Sequence, residues 1–363
     1  MTHGGNIFEI ERKEKLDRKT LLDYSANINP LGLPKSLKRI IQDRMEDLQY
    51  YPDIYYEDLK AAISQYYSLI KEDIFVGNGA AQVIFDTIHR IKPQKSIILA
   101  PTFSEYEKAL KSCESTIVEV PLQEEDNFDL NIDALIEKID DTIDLVVLCN
   151  PNNPTSRLIE MQKIEKILLK CQQHQVYLMI DEAFMDFVED QPLYSMLPYY
   201  KKHKNIVIVR AFTKFYGVPG LRLGFGVCSD KTMIEEINKN TLPWCLNTFA
   251  GYFGEVLLAE DNYVEATHQW LRKEKRRFFK ALQNIEGIKA FPPSVNFILI
   301  KILKTDSNAH HLKEKLLQQK ILIRDCSNFT NLDDKFFRVA IKIPEQNNVF
   351  LKALKKILNE ISD

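Results

Sequence analysis

From about residue 57 onward, apolar runs of strand length alternate with longer amphipathic stretches, without an internal repeat or low-complexity break. That alternation confines the chain to a layered α/β fold. The runs are SIILA (96–100), DLVVLC (144–149), VYLMI (176–180), NIVIV (205–209) and LGFGVC (223–228). They are too continuously apolar for a sheet with one wet face, so they predict a mostly parallel central sheet covered on both sides. Between them, LIEMQKIEKILLKCQQH places Ile164, Ile167 and Leu168 at the spacing of one helix face. After about residue 255 the pattern changes to a long charged helix, the short strand VNFILI and a further helix and strand pair. This predicts a second, smaller α+β domain, for which 363 residues suffice. The first 45 residues show no clear strand and fit either unit.

Composition removes whole classes of function. With 48 Lys+Arg against 51 Asp+Glu, the net charge of −3 gives no field for nucleic acid or a membrane surface. A 45% hydrophobic share with only 12 Gly excludes disorder and collagen. The cysteines, at 113, 149, 171, 228, 245 and 326, form no CxxC pair and no Cys/His cluster at zinc spacing. Neither a metal nor a disulfide framework is expected. Without a signal-peptide core or a run near the ~20 residues of a membrane span, the expected compartment is the cytoplasm. His310, His311 and the Lys-rich stretch 269–280 are expected as solvated surface, and Trp244 as a packing residue near the domain junction.

In open α/β sheets, ligands bind beyond the carboxyl ends of the strands. Four polar segments stand there: NPNNPTS after DLVVLC, DEAFMDF after VYLMI, TKFYGVPGLRLG after NIVIVRAF, and GNGAA after IFV. Gly77, Gly79, Ala80 and Ala81 open a helix start whose amides suit a phosphate, although the same residues suit a plain tight turn. Asp181 ends an apolar strand, where a carboxylate needs a cation or donor to meet it, or serves as a cap. Lys214 follows another such strand, where desolvation makes an amine nucleophilic; an isolated lysine is otherwise a surface charge. Arg222 lies beyond the Gly217–Gly220 turn, within reach of the same anion. Their conjunction outweighs each alone.

That order of residues resembles the fold-type I pyridoxal phosphate (PLP) enzymes of the aminotransferase class, and within it the threonine-phosphate decarboxylases of cobamide biosynthesis. The resemblance runs from HGGN (3–6) and DYSANINPLG (23–32) through YYPD, GNGA, APTFSEYE, NPNNPT, DEAFMDF and TKFYGVPGLRLG to LPWCLN, ILIRDCSNF and FRVAIK. HGGN, SANINPLG, PWCLN and ILIRDCSNF favour the decarboxylases over histidinol-phosphate aminotransferase, the alternative. The resemblance implies a large PLP-binding domain over 46–255, and a smaller domain from 1–45 and 256–363 that includes an N-terminal arm. It implies that Lys214 binds the cofactor covalently, that Asp181 pairs with the ring nitrogen, that Asn153 bonds the ring O3′ and that Phe103 stacks on the ring. The cofactor phosphate would rest on Gly79, Ala80, Ala81, Thr213 and Arg222, with Tyr51 reaching it from a second subunit of a homodimer. His3, Asn29, Asn153, Arg324 and Arg338 would bind a phosphorylated amino acid.

The implied reaction takes L-threonine O-3-phosphate to (R)-1-aminopropan-2-ol O-2-phosphate, or L-serine O-phosphate to ethanolamine phosphate. One methyl group separates the substrates, worth only ~1–3 kcal/mol in an apolar pocket. In related aminotransferases the residue matching Arg338 clamps the substrate carboxylate. A decarboxylase loses that group as neutral CO2, so a tight clamp would stabilise the ground state more than the transition state. Arg324 and Arg338, with His3, are therefore expected to hold the substrate phosphate. The chain departs from the wider class at Ala211, at Ala80-Ala81, at Phe184 and at Ser156, which stands where glycine is usual. A serine there is expected in a turn that needs no positive φ.

Overall fold

The structure, a computed structural model, describes residues 4–360. A two-residue strand, β1 (Leu22–Asp23), precedes seven strands of one sheet: β2 (Ile74–Asn78), β3 (Lys95–Ala100), β4 (Thr116–Pro121), β5 (Leu145–Cys149), β6 (Tyr177–Asp181), β7 (Ile206–Ala211) and β8 (Leu223–Val227). Their order is β2-β8-β7-β6-β5-β3-β4. Only β8 runs antiparallel to its neighbours. The rest pair in parallel, as the apolar runs predict.

Both faces of this sheet are dry. On one face, Val146, Leu148, Leu178, Ile180, Ile206 and Ile208 pack into one cluster. On the other, Val147, Met179, Val207 and Val209 pack with Val83, Ile84 and Ile88 of the helix Gly79–Ile91. The helix Met161–Gln173 buries Ile164, Ile167, Leu168 and Cys171, the face read from its spacing. The edge strand β4 is half-exposed and lacks the continuous apolar run that marks its neighbours in sequence.

After the 23-residue helix Asp261–Gln283 come β9 (Ile288–Ala290), β10 (Phe297–Ile302), β11 (Ile321–Leu322), β12 (Arg324–Asp325) and β13 (Phe336–Ala340). Four of them form an antiparallel sheet in the order β12-β13-β10-β9. Parallel pairing of β1 with β11 ties the N-terminal segment to this second unit. Arg324 and Arg338 face each other across the β12–β13 register.

Two expectations need correction, the first in part. Within 269–280, Glu274 is buried and holds Arg277 and Asn347, and Lys275 donates to Ser294 O at 2.7 Å. One face of that stretch thus binds the long helix to the second unit, while Arg272, Lys273, Arg276 and Lys280 lie in solvent as expected. Trp244 is 44% exposed and stacks on Tyr51, ring centres 4.5 Å apart, so it is a surface aromatic and not a junction filler. His310 is solvent-exposed as expected, 3.3 Å from Glu314.

Candidate active site

The topology brings the polar segments to one edge. Strands β3, β5, β6 and β7 run in parallel, and β2 shares their direction because β8 is antiparallel to both β2 and β7. Their carboxyl ends therefore present Gly79–Ala81, Phe103, Asn153, Asp181 and Thr213–Lys214 together. Strand β8 starts at that edge, so Arg222 enters it from the opposite direction. A cavity of about 380 Å3 lies there, and its wall includes all of these except Gly79. Arg324 and Arg338 of the second unit complete it.

Asn78 makes no side-chain cap on the helix Gly79–Ile91, which leaves its first amides without a side-chain acceptor. Gly79 has φ +78°, and a Cβ there would fall 2.5 Å from Arg222 Nη2. The guanidinium thus lies directly over the helix start, and the two make an anion cradle. Asp181 accepts from Tyr106 Oη at 2.6 Å and from Ala183 N at 2.9 Å. Burial raises its pKa, and those two donors and Lys214 oppose the rise. The Lys214 amine is pushed down to about 8, first by burial and then by Arg338 and Arg222.

Arg338 donates from Nη1 to Asn153 Oδ1 and from Nη2 to Ser25 O at 2.8 Å, while its buried Nε has no hydrogen-bond partner. The bond to Oδ1 leaves the Asn153 amide nitrogen as the donor toward the cavity. Burial draws the Arg338 pKa down to about 10. Arg324 donates to Asp325 O and, at 2.6 Å, to Asn328 Oδ1.

Two positions, Asn29 and Ser156, land elsewhere than expected. Asn29 does not line the cavity: its amide donates to Phe215 O and Thr267 Oγ1, both at 2.8 Å, and its Oδ1 accepts from Leu31 N. With its side chain so engaged, Asn29 braces the Lys214 turn, and Asn27 stands in the cavity wall with a buried Oδ1 that has no partner. Two asparagines two residues apart look alike in sequence; only the turn decides which faces inward. Ser156 has φ +63°, so the turn does require the left-handed region that glycine favours. Its Oγ accepts from Ser294 N and Val295 N at 3.0 and 3.1 Å, which binds the NPNNPTS loop to the second unit. Tyr51 is 78% exposed and outside the cavity of its own chain.

His3 lies outside the described residues; next to it, Gly4 lines the cavity and Gly5 N donates to Ser25 Oγ at 2.8 Å. Phe184 is buried against Phe297, 5.0 Å between ring centres, and offers no hydroxyl. Tyr106 and Asn27 were not singled out from sequence. Among the described residues there is no cluster of acidic, histidine or cysteine side chains able to hold a metal ion, and no helix long and apolar enough to cross a membrane.

The model of the family Aminotransferase class I and II matches residues 19–354. The chain belongs to that family. Within it, the chain is 37% identical to the threonine-phosphate decarboxylase of Salmonella typhimurium, over 99% of this chain and 97% of that protein. It is 40% identical to the putative threonine-phosphate decarboxylase of Caldanaerobacter subterraneus, over 99% of this chain and 94% of that protein. The crystal structure of the histidinol-phosphate aminotransferase from Clostridium acetobutylicum matches at a TM-score of 0.88 and 36% identity, covering 94% of this chain and all of that one (100%). The aminotransferase fold is thus common to relatives with two different activities, and the site must discriminate between them.

Proposed function

We propose that this chain is a PLP-dependent carboxy-lyase that converts L-threonine O-3-phosphate to (R)-1-aminopropan-2-ol O-2-phosphate, with L-serine O-phosphate as the variant substrate. The observation that carries this reading is the state of Arg338: both terminal nitrogens already donate, to Asn153 and to Ser25. Those bonds fix the guanidinium while leaving three of its five N–H groups, Nε among them, for a substrate anion, and we assign that anion to the phosphate instead of to a carboxylate that leaves as neutral CO2. The sequence relationship to the two decarboxylases supports the same reading. The C. acetobutylicum match keeps a histidinol-phosphate-type aminotransferase as the second reading.

The residues present fit the cofactor. Four cationic side chains (Lys214, Arg222, Arg324 and Arg338) line the cavity against one carboxylate, Asp181, an excess suited to a cofactor phosphate and a doubly anionic substrate. When bound, PLP supplies an electron sink for the bond broken at the substrate Cα. In this reading the Gly79–Ala81 amides, Thr213 and Arg222 hold the cofactor phosphate. Asp181 would meet the ring nitrogen, Asn153 would donate to O3′, and Phe103 would cover the ring. Lys214 would hold the cofactor covalently, and its amine, buried beside Arg338 and Arg222, is the group we assign to return a proton to Cα. Arg324 and Arg338 draw the substrate phosphate to the second unit, which turns the carboxylate toward the bond-breaking orientation.

We group residues 46–255 as the cofactor-binding unit, and 1–45 with 256–363 as the substrate-gripping unit. The exposed Tyr51 fits a homodimer in which it reaches the partner's cofactor phosphate. Six free cysteines support a reducing, cytoplasmic setting.

The direct assay supplies the holoenzyme with O-phospho-L-threonine or O-phospho-L-serine and no 2-oxo acid. CO2 and an amine phosphate in equal amounts support the decarboxylase; turnover only with a 2-oxo acid moves the chain to the aminotransferases. Two finer expectations follow from the site. Arg338→Lys should weaken binding of the carboxylate-free product phosphate more than binding of L-threonine, as measured by calorimetry; the reverse order would show a carboxylate clamp. Capture of PLP by Lys214 in the cofactor-free protein should accelerate as pH rises, with a midpoint near 8 instead of the ordinary 10.5. Arg338→Met should move that midpoint upward, because it removes a neighbouring positive charge.

A further inference from the structure

Tyr106 joins two residues that a planar cofactor ring would need. It is wholly buried, on the helix Ser104–Ser112, whose N-cap is Phe103. The three-residue spacing sets the two rings on one face, and they meet edge to face with centres 5.6 Å apart at 84°. The Tyr106 hydroxyl donates to Asp181 Oδ2 at 2.6 Å. The opposite oxygen, Oδ1, accepts from Ala183 N. The other titratable groups facing Asp181 are Lys214, from the turn after β7, and Cys149, at the end of β5. Burial keeps the Cys149 thiol protonated, and its Sγ lies 3.3 Å from Pro151 O. Tyr106 therefore supplies the side-chain hydroxyl that solvates the buried carboxylate.

We propose that Tyr106 is a positioning residue: it sets the edge of Phe103 and lowers the proton affinity of Asp181, so that the ring nitrogen of PLP and not the carboxylate keeps the proton they share. The proposal rests on the reading that Asp181 meets the ring nitrogen. A carboxylate that accepts an O–H bond in a dry site is a weaker base than one without it. Loss of the hydroxyl makes Asp181 the stronger base of the pair and draws the shared proton onto Oδ2. In this proposal Tyr106 acts through Asp181, whose Oδ2 accepts its hydroxyl.

The test uses holoenzyme loaded with PLP carrying 15N at the ring nitrogen, compared with a Tyr106→Phe variant. The 15N chemical shift reports ring protonation directly, and steady-state kinetics with O-phospho-L-threonine report its consequence. The wild-type protein should show a protonated ring. Tyr106→Phe should move the shift toward that of the neutral ring and lower kcat by about tenfold or more, with KM changed by less than about threefold, the effect of losing one hydrogen bond to a charged group. A protonated-ring shift that Tyr106→Phe leaves in place overturns the proposal while sparing the Asp181 reading. A neutral ring in the wild type overturns the Asp181 reading and the proposal with it. Should Tyr106→Phe not fold, Tyr106→His keeps a ring and a donor: a protonated-ring shift supports the proposal, and a neutral one overturns it.

Discussion

Replacing Lys214 by alanine is expected to lower kcat by at least about 10^3-fold, because in the proposed function it removes both the covalent attachment point and the amine assigned to return a proton to Cα. The variant should still fold. Lys214 sits in the cavity wall between Arg338, Arg222 and Asp181, and contributes charge there more than packing. Its folded pKa of about 8 lies below the ordinary 10.5, so between those values the unfolded chain binds more protons than the folded one. The cofactor-free wild-type protein should therefore gain stability as pH rises from about 8 to 10.5, and Lys214→Ala should lack that gain. Thermal melts of both cofactor-free proteins across that range check the sign. A retained wild-type rate in Lys214→Ala would remove the lysine from the chemistry altogether.

Arg210→Met should be the most damaging single change to stability, costing about 3–5 kcal/mol, the usual result of breaking a buried ion cluster from one side. Arg210 is 1% exposed on β7. It donates to Asp186 Oδ1 at 2.8 Å and lies 2.9 Å from Glu182 Oε2, with its guanidinium 5.4 Å above the Tyr67 ring. Glu182 further accepts from Ser195 Oγ and Met196 N. Burial raises the pKa of both carboxylates, and Arg210 opposes that rise. Without the arginine both rise further. A carboxyl whose folded pKa lies above its unfolded value loses stability as pH rises through that interval, so acid should relieve the variant. Urea midpoints at pH 7 and pH 5 measure this: the variant's deficit should be largest at pH 7. An unchanged midpoint at pH 7 would show that the cluster contributes nothing net. The cluster also lies directly after Asp181 and directly before the Lys214 turn, so its loss should reach the site as well as the fold.

The cofactor edge was legible in sequence because its residues sit at fixed offsets from strands that are apolar on both faces. Lys214, Asp181, Asn153, Phe103 and Arg222 each follow or precede such a strand, and a parallel sheet has no choice but to gather them. The other half of the cavity was less legible. Arg324 and Arg338 come from an antiparallel sheet more than a hundred residues later, and their register appears only once β12 and β13 are paired. Asn27 and Asn29 are chemically identical, and the turn that aims one at the cavity and the other at the Lys214 backbone is set by Phe215 and Thr267, far away in sequence. Ser156 shows the converse: a residue that local rules disfavour at positive φ is held there by two amides of the second unit. Tyr106 was hidden because a tyrosine on a helix face is ordinary core until its hydroxyl is seen to meet Asp181.

The central claim is that the bond broken at Cα is the one to the carboxylate. It is tested most directly with O-phospho-L-threonine deuterated at Cα, incubated with the holoenzyme without 2-oxo acid. The account predicts one CO2 per amine phosphate formed, with the deuterium retained in the product beside one hydrogen taken from solvent. Deuterium released to water, with no CO2 and with glutamate appearing once 2-oxoglutarate is added, would contradict it.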